Sequence, residues 1–190
     1  MTLLCYFYQD YCAPLPITVL SDLATPGVCA SVGNEVGCTN PSGTSGNPND
    51  MIACFNNSQT TLPFEVHALR FWIGTSAPLP DNLFLRIWSG SATTGPGTLL
   101  YEQEVPPGSY NIAENTIALD DPFEFSGQEF CAGVYSNLTN DGFRLVMETG
   151  DGLESRFLAP NCGAPFDTWY PVQATIGALE FCIEALVTDH

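Results

Sequence analysis

Hydrophobic residues return at every second position in several short stretches of this chain. In Leu69-Arg70-Phe71-Trp72-Ile73, Leu69, Phe71 and Ile73 share one side, and Arg70 and Trp72 share the other. Leu83, Leu85 and Ile87 alternate with Phe84, Arg86 and Trp88; Phe143, Leu145 and Met147 alternate with Arg144, Val146 and Glu148. Phe181, Ile183 and Ala185 alternate with Glu180, Cys182 and Glu184. A period of two sends successive side chains to opposite faces of an extended strand, so each stretch predicts a strand with one buried face. The intervals are punctuated by Pro and Gly, 15 and 17 in all, and no stretch carries an amphipathic helical stripe. The pattern predicts an all-β fold, an antiparallel sandwich or barrel.

Three regions follow from the same pattern. Residues 1–38 are rich in aromatics and cysteine, with strands predicted over Leu3 to Tyr8 and Ile17 to Leu20. Residues 39–50, TNPSGTSGNPND, read as a polar turn-rich loop that no helix or central strand would contain. From Met51 onward the strands succeed one another. The expected division is therefore an N-terminal arm and loop over 1–50 and a β-sandwich domain over 51–190.

The run Leu83-Phe-Leu-Arg-Ile-Trp88, then Gly95-Pro-Gly-Thr-Leu-Leu-Tyr101, then Asp121-Pro-Phe-Glu-Phe-Ser-Gly-Gln-Glu-Phe-Cys-Ala-Gly-Val134 resembles the jelly-roll-type β-sandwich modules of bacterial secreted and surface proteins. The resemblance covers roughly residues 60–150 and implies a jelly-roll-like sandwich. Such modules serve carbohydrate binding, adhesion or spacing, and the resemblance brings no fixed set of functional residues. A shared fold does not transfer function by itself.

Composition places the chain before it explains it. Four arginines and no lysine face 21 acidic residues, a formal charge of −17, which excludes phosphate-backbone binding to nucleic acid and disfavours anionic membrane surfaces. No apolar run approaches the roughly 20 residues that cross a bilayer, so no membrane insertion is expected. Cys5, Cys12, Cys29, Cys38, Cys54, Cys131, Cys162 and Cys182 form an even set and read as disulfides of an oxidising compartment. The rival reading, zinc, lacks a CxxC pair, and neither His67 nor His190 stands at ligand spacing from a cysteine. Met1 to Cys12 has no basic n-region and no small-residue cleavage site, so an extracellular protein implies a leader already removed or an excised segment. Asn56-Asn57-Ser58 and Asn137-Leu138-Thr139 are sequons, making Asn56 and Asn137 candidate glycosylation sites.

Candidate chemistry is sparse. His67 is the one histidine before the C-terminus, so any nucleophile–histidine arrangement must use it, and its place in an alternating strand reads as structural. Oxidised cysteines offer no thiol nucleophile. Among 21 acids a pair at glycosidase spacing arises by chance and carries no signal, so no catalytic residue is assigned and a secreted hydrolase is the weakest reading. The loops 137–142 and 148–154 hold oxygen ligands beside glycines, and Asp141, Glu148, Asp151 and Glu154 are candidate ligands of a structural calcium; the alternative is ordinary solvated turns. No other cofactor is expected.

Arginine and tryptophan recur together. Arg70 with Trp72 and Arg86 with Trp88 predict two Arg–Trp pairs on one sheet face, a platform on which a pyranose ring could stack while guanidinium groups donate to hydroxyls. Trp169 and Tyr170 form a second, loop-borne aromatic pair. The alternative buries all these rings under a loop, the arm or another subunit. The sequence thus supports a non-enzymatic extracellular binding or adhesion module with carbohydrate as ligand class. The runner-up is a structural subunit that forms filaments or surface layers by adding its aromatic N-terminal arm to a neighbouring sheet.

Overall fold

Leu69, Phe71 and Ile73 do turn one way, and that way is inward: all three are fully buried. They belong to the strand Phe64–Ile73 (β4) of a computed structural model that describes residues 16–21, 29, 35–36, 47–58, 60–74, 79, 82–138, 144–150, 155–162, 164–172, 174 and 179–189. The earlier strands are Thr18–Ser21 (β1), Glu35–Val36 (β2) and Asn47–Asn56 (β3). After β4 come Leu83–Ser91 (β5), Gly95–Val105 (β6), Ala113–Phe125 (β7), Glu129–Leu138 (β8) and Leu145–Thr149 (β9). Ser155–Leu158 (β10), Tyr170–Pro171 (β11), Leu179–Phe181 (β12) and Ile183–Asp189 (β13) complete the set.

These strands form two antiparallel sheets. In the first, β4 lies between β7 and β13, β13 also pairs with β1, and β9 joins at the end of β4 while pairing with β2 and β12. The second runs β11-β10-β3-β8-β5-β6. The core is the space between them. Phe64, Val66, Leu69 and Phe71 from β4 meet Met51 and Phe55 of β3, Leu85 and Ile87 of β5, and Phe130 and Val134 of β8. Gln103 ties the sheet edges together, its amide donating to the Ala118 carbonyl and accepting from the Asp120 N–H, so β6 and β7 blunt each other's open edges. The protein is an antiparallel β-sandwich, as the alternation predicts.

Two disulfides join pairs of described residues. Cys54 and Cys131 stand opposite each other on β3 and β8. Cys29–Cys182 fastens the segment between β1 and β2 to a fork: the Cys182 N–H donates to Val146 of β9, and its carbonyl accepts from Trp72 of β4. Closing loops of 77 and 153 residues restricts the unfolded chain by about 5 kcal/mol each in the chain-entropy account. Cys162 is disulfide-bonded as well, and no described cysteine is free. Cys5, Cys12 and Cys38 lie outside the described residues, as does the predicted strand Leu3 to Tyr8.

The predicted loop 39–50 needs correction. Residues 47–50 are strand, part of β3, which lies inside the second sheet. β10 pairs with β3 only over residues 50–53, so among the described residues the stretch before Asp50 has a strand neighbour only in β8. That local edge tolerates Pro48. The boundary expected at residue 50 therefore falls within β3, and β1 and β2 also contribute to the first sheet.

Candidate functional site

The outward side of the second sheet carries the residues with the most chemistry. On β5 these are Phe84, Arg86 and Trp88, and register places Tyr135, Gly133 and Cys131 of β8 beside them. The next strand, β3, brings Asp50, Ile52 and Cys54 opposite those three. On the other flank β6 sets Glu104 beside Phe84 and Glu102 beside Arg86.

Arg86 organises this face. Opposite it stands Gly133, which has no side chain to obstruct a long neighbour. The guanidinium extends across β8, with Nη1 donating to both carboxylate oxygens of Asp50 at 2.8 and 3.0 Å. Nε and Nη2 meet Glu102 Oε2, each at 2.7 Å. The guanidinium carbon lies 3.7 Å from the centre of the Tyr135 ring, a stacked cation–π contact, and Tyr135 in turn packs against Phe84 at 5.8 Å. A Cβ at Gly133 would come within 2.1 Å of the Met51 carbonyl oxygen, so only glycine fits where β3 and β8 approach.

Burial sets the electrostatics. Asp50 is 6% exposed, and its carboxyl is pushed up to about 6: burial raises it more than Arg86 lowers it, and nearby Glu102 adds to the rise. Burial also raises the Tyr135 phenol, over the opposing pull of Arg86. The cluster thus holds one cation between two carboxylates, beside two half-buried aromatic rings.

The other end of the face is closed. Trp88 is only 5% exposed; it packs with Ile52 and the Cys54–Cys131 disulfide and meets Trp169 edge-on at 5.5 Å. Ala92, in the turn after β5, packs on the same cluster, and Arg156 of β10 donates to its carbonyl.

The expected platform is corrected by this arrangement. Arg70 and Trp72 lie in the first sheet and Arg86 and Trp88 in the second, so the two pairs occupy different sheets. β4 and β5 follow one another in sequence but belong to opposite sheets. Trp72 is 6% exposed, packed with Cys29, Val146 and Cys182, and Arg70 pairs at 2.8 Å with the fully buried carboxylate of Glu184. Trp169 and Tyr170 also part company: Trp169 joins the outer cluster, whereas Tyr170 pairs in register with core-facing Phe157 and packs on Phe166 at 5.5 Å. Of the six predicted ligand residues, Arg86, Trp88 and Trp169 share a face.

The other predicted sites that fall among the described residues stand apart from this face or at its margin. Glu148 accepts the Thr149 N–H, while Asp141, Asp151 and Glu154 lie outside the described residues. Asn56 is exposed at the end of β3; the side chain of Asn137 lies outside the described residues. His67 Nε2 meets both Thr188 Oγ1 at 2.7 Å and Glu65 at 3.3 Å. Hydroxyl and carboxylate converge on one ring nitrogen, unlike a catalytic relay, where they use opposite nitrogens. Sequence reasoning missed Asp50, Glu102 and Tyr135. The usable signal was parity: counting back by twos from Cys54 reaches Asp50, and forward from Cys131 reaches Tyr135.

No protein-family model and no curated protein sequence matches the chain. Among solved structures it is similar to the cysteine protease and lectin-like domains of Cwp84, a surface layer associated protein of Clostridium difficile, with a TM-score of 0.61 at 8% identity. The similarity covers 92% of this chain and 36% of that one, and falls on its lectin-like part. At that identity the likeness is one of fold.

Proposed function

We propose that this protein is a non-catalytic extracellular binding module whose ligand is a carbohydrate, held on the outer face of the second sheet. The observation that carries the reading is the juxtaposition of half-buried Phe84 and Tyr135 with the Asp50–Arg86–Glu102 network. Sugar recognition needs both parts: a ring on which the apolar face of a pyranose stacks, and fixed polar groups beside it that accept from hydroxyls. Here the polar groups are held in place by one another, so little side-chain entropy remains to be lost on binding. The lectin-like part of a surface-layer-associated protein supports the reading by fold, and the disulfides support an oxidising, extracellular setting. The module works without a cofactor.

A glycan array probed with the full chain and with Tyr135→Ala tests this. Retention of some glycan by the wild type, lost in a variant with unchanged melting, is the expected result. A wild type silent on every glycan sinks the reading, and retention equal in both proteins moves the site elsewhere.

A further inference from the structure

We infer that the Phe84–Tyr135 face selects sugars that carry no negative charge, amino sugars above neutral ones, and turns away uronic and sialic acids. The inference rests on the carbohydrate reading and narrows it. An acidic sugar is recognised by a cation with donors to spare. On this face Arg86 is committed: Nε and Nη2 to Glu102, Nη1 to both oxygens of Asp50, and its flat side to Tyr135. An incoming carboxylate would have to displace one of two carboxylates already in place and then sit beside the other.

The surrounding charges point the same way. Glu104 follows Glu102 on the same side of β6, beside Phe84, and is exposed. Arg156, the other arginine on this face, stands opposite Ile52, three strands from Arg86, about 14 Å at ordinary strand spacing, and donates to the Ala92 carbonyl. At the rings themselves, one positive charge therefore meets three carboxylates. A sugar stacked on Tyr135 and Phe84 would place its substituents beside Glu102, whose side chain is 41% exposed and open to an ammonium or hydroxyl donor. An ammonium gains a charge-assisted hydrogen bond there, a hydroxyl an ordinary one, and a carboxylate only repulsion.

The test uses the full chain with immobilised glucosamine oligomers, neutral gluco- and galacto-oligosaccharides, polygalacturonate and sialylated glycans. Wild type is compared with Tyr135→Ala, Glu102→Gln and Glu102→Lys. The expected pattern is retention on amino and neutral sugars that Tyr135→Ala abolishes. The amino-sugar component weakens with salt, and in Glu102→Gln it falls roughly two- to fivefold further than the neutral-sugar component, the size of an exposed charge pair. Acidic glycans are retained only by Glu102→Lys. Wild-type retention of acidic glycans that depends on Tyr135 overturns the inference and leaves the carbohydrate reading standing. Amino-sugar retention that survives Tyr135→Ala also overturns it, because that is the general attraction of a chain with charge −17 for a polycation. Silence on every sugar removes the reading itself.

Discussion

Asp50 makes an unusual prediction about acid. Most paired carboxylates stabilise a fold less as pH falls, whereas Asp50 stabilises it more. Its carboxyl rises from 3.8 to about 6 in the folded protein because burial outweighs the pull of Arg86, and in the unfolded chain it returns to about 3.9. Below about 4 the group is protonated in both states and has no effect on the balance. Between about 4 and 6 the folded protein keeps a proton that the unfolded chain has lost, so stability falls as pH rises, by about 1.4 kcal/mol per pH unit. Above about 6 both states are ionised and the curve flattens. Across the window the loss sums to about 3 kcal/mol.

The perturbation that isolates this is Asp50→Asn, which keeps the shape and cannot titrate. Urea unfolding of both proteins at pH 4, 5, 6 and 7, with disulfides intact, gives the comparison. The remaining acids of a chain with charge −17 add their own slope through self-repulsion, and that slope cancels in the difference between the two proteins. At a urea dependence of about 2 kcal/mol per molar, the wild-type midpoint should drop, relative to the variant, by about 1.5 M between pH 4 and 7. Parallel curves would refute the reasoning. A wild type that gains on the variant as pH rises would show that the two hydrogen bonds from Arg86 prevail over desolvation.

Four further predictions rest on packing and connectivity. Gly133→Ala drives a Cβ to 2.1 Å from the Met51 carbonyl oxygen, a backbone atom that cannot turn aside, and should cost at least about 3 kcal/mol in urea unfolding; a loss under 1 kcal/mol would contradict the close approach. Arg70→Met removes the cation facing the fully buried Glu184 carboxylate and should cost about 3 kcal/mol, most of it recovered when Glu184→Leu is added; an unrecovered loss would place the cost in packing. Trp88→Ala empties a site that is 5% exposed against the Cys54–Cys131 bridge, so it should lower stability by about 3–5 kcal/mol, and a variant melting like wild type would contradict that burial. Deleting residues 1–15 stops short of β1 and of Cys29, so the sandwich should persist as a monomer somewhat lighter than the 20.5 kDa of the full chain by light scattering. Large assemblies of the full chain that vanish on that deletion would favour the filament reading over the binding module.

How much of this was legible from the chain depends on what alternation encodes. It encodes parity: Leu69, Phe71 and Ile73, and likewise Leu83, Leu85 and Ile87, are each on the core side of their strands, as their spacing requires. It does not encode which strand lies next door. Arg70-Phe71-Trp72 and Arg86-Ile87-Trp88 look alike as sequence, yet β4 and β5 belong to opposite sheets, and their outward faces point away from each other. Asp50 was hidden by a local rule applied correctly: Asn, Pro, Asn and Asp are turn formers, and only the end of β10 at Leu158 makes a strand possible there. The chemistry of the face was hidden more deeply, because it depends on register across three strands. Arg86 meets Asp50, 36 residues earlier in the chain, only because β8 presents Gly133 between them. In isolation a glycine inside a strand reads as a weakness. In register it is the opening through which the one arginine of the site reaches its carboxylate, and so it determines the site's charge as surely as the charged residues do.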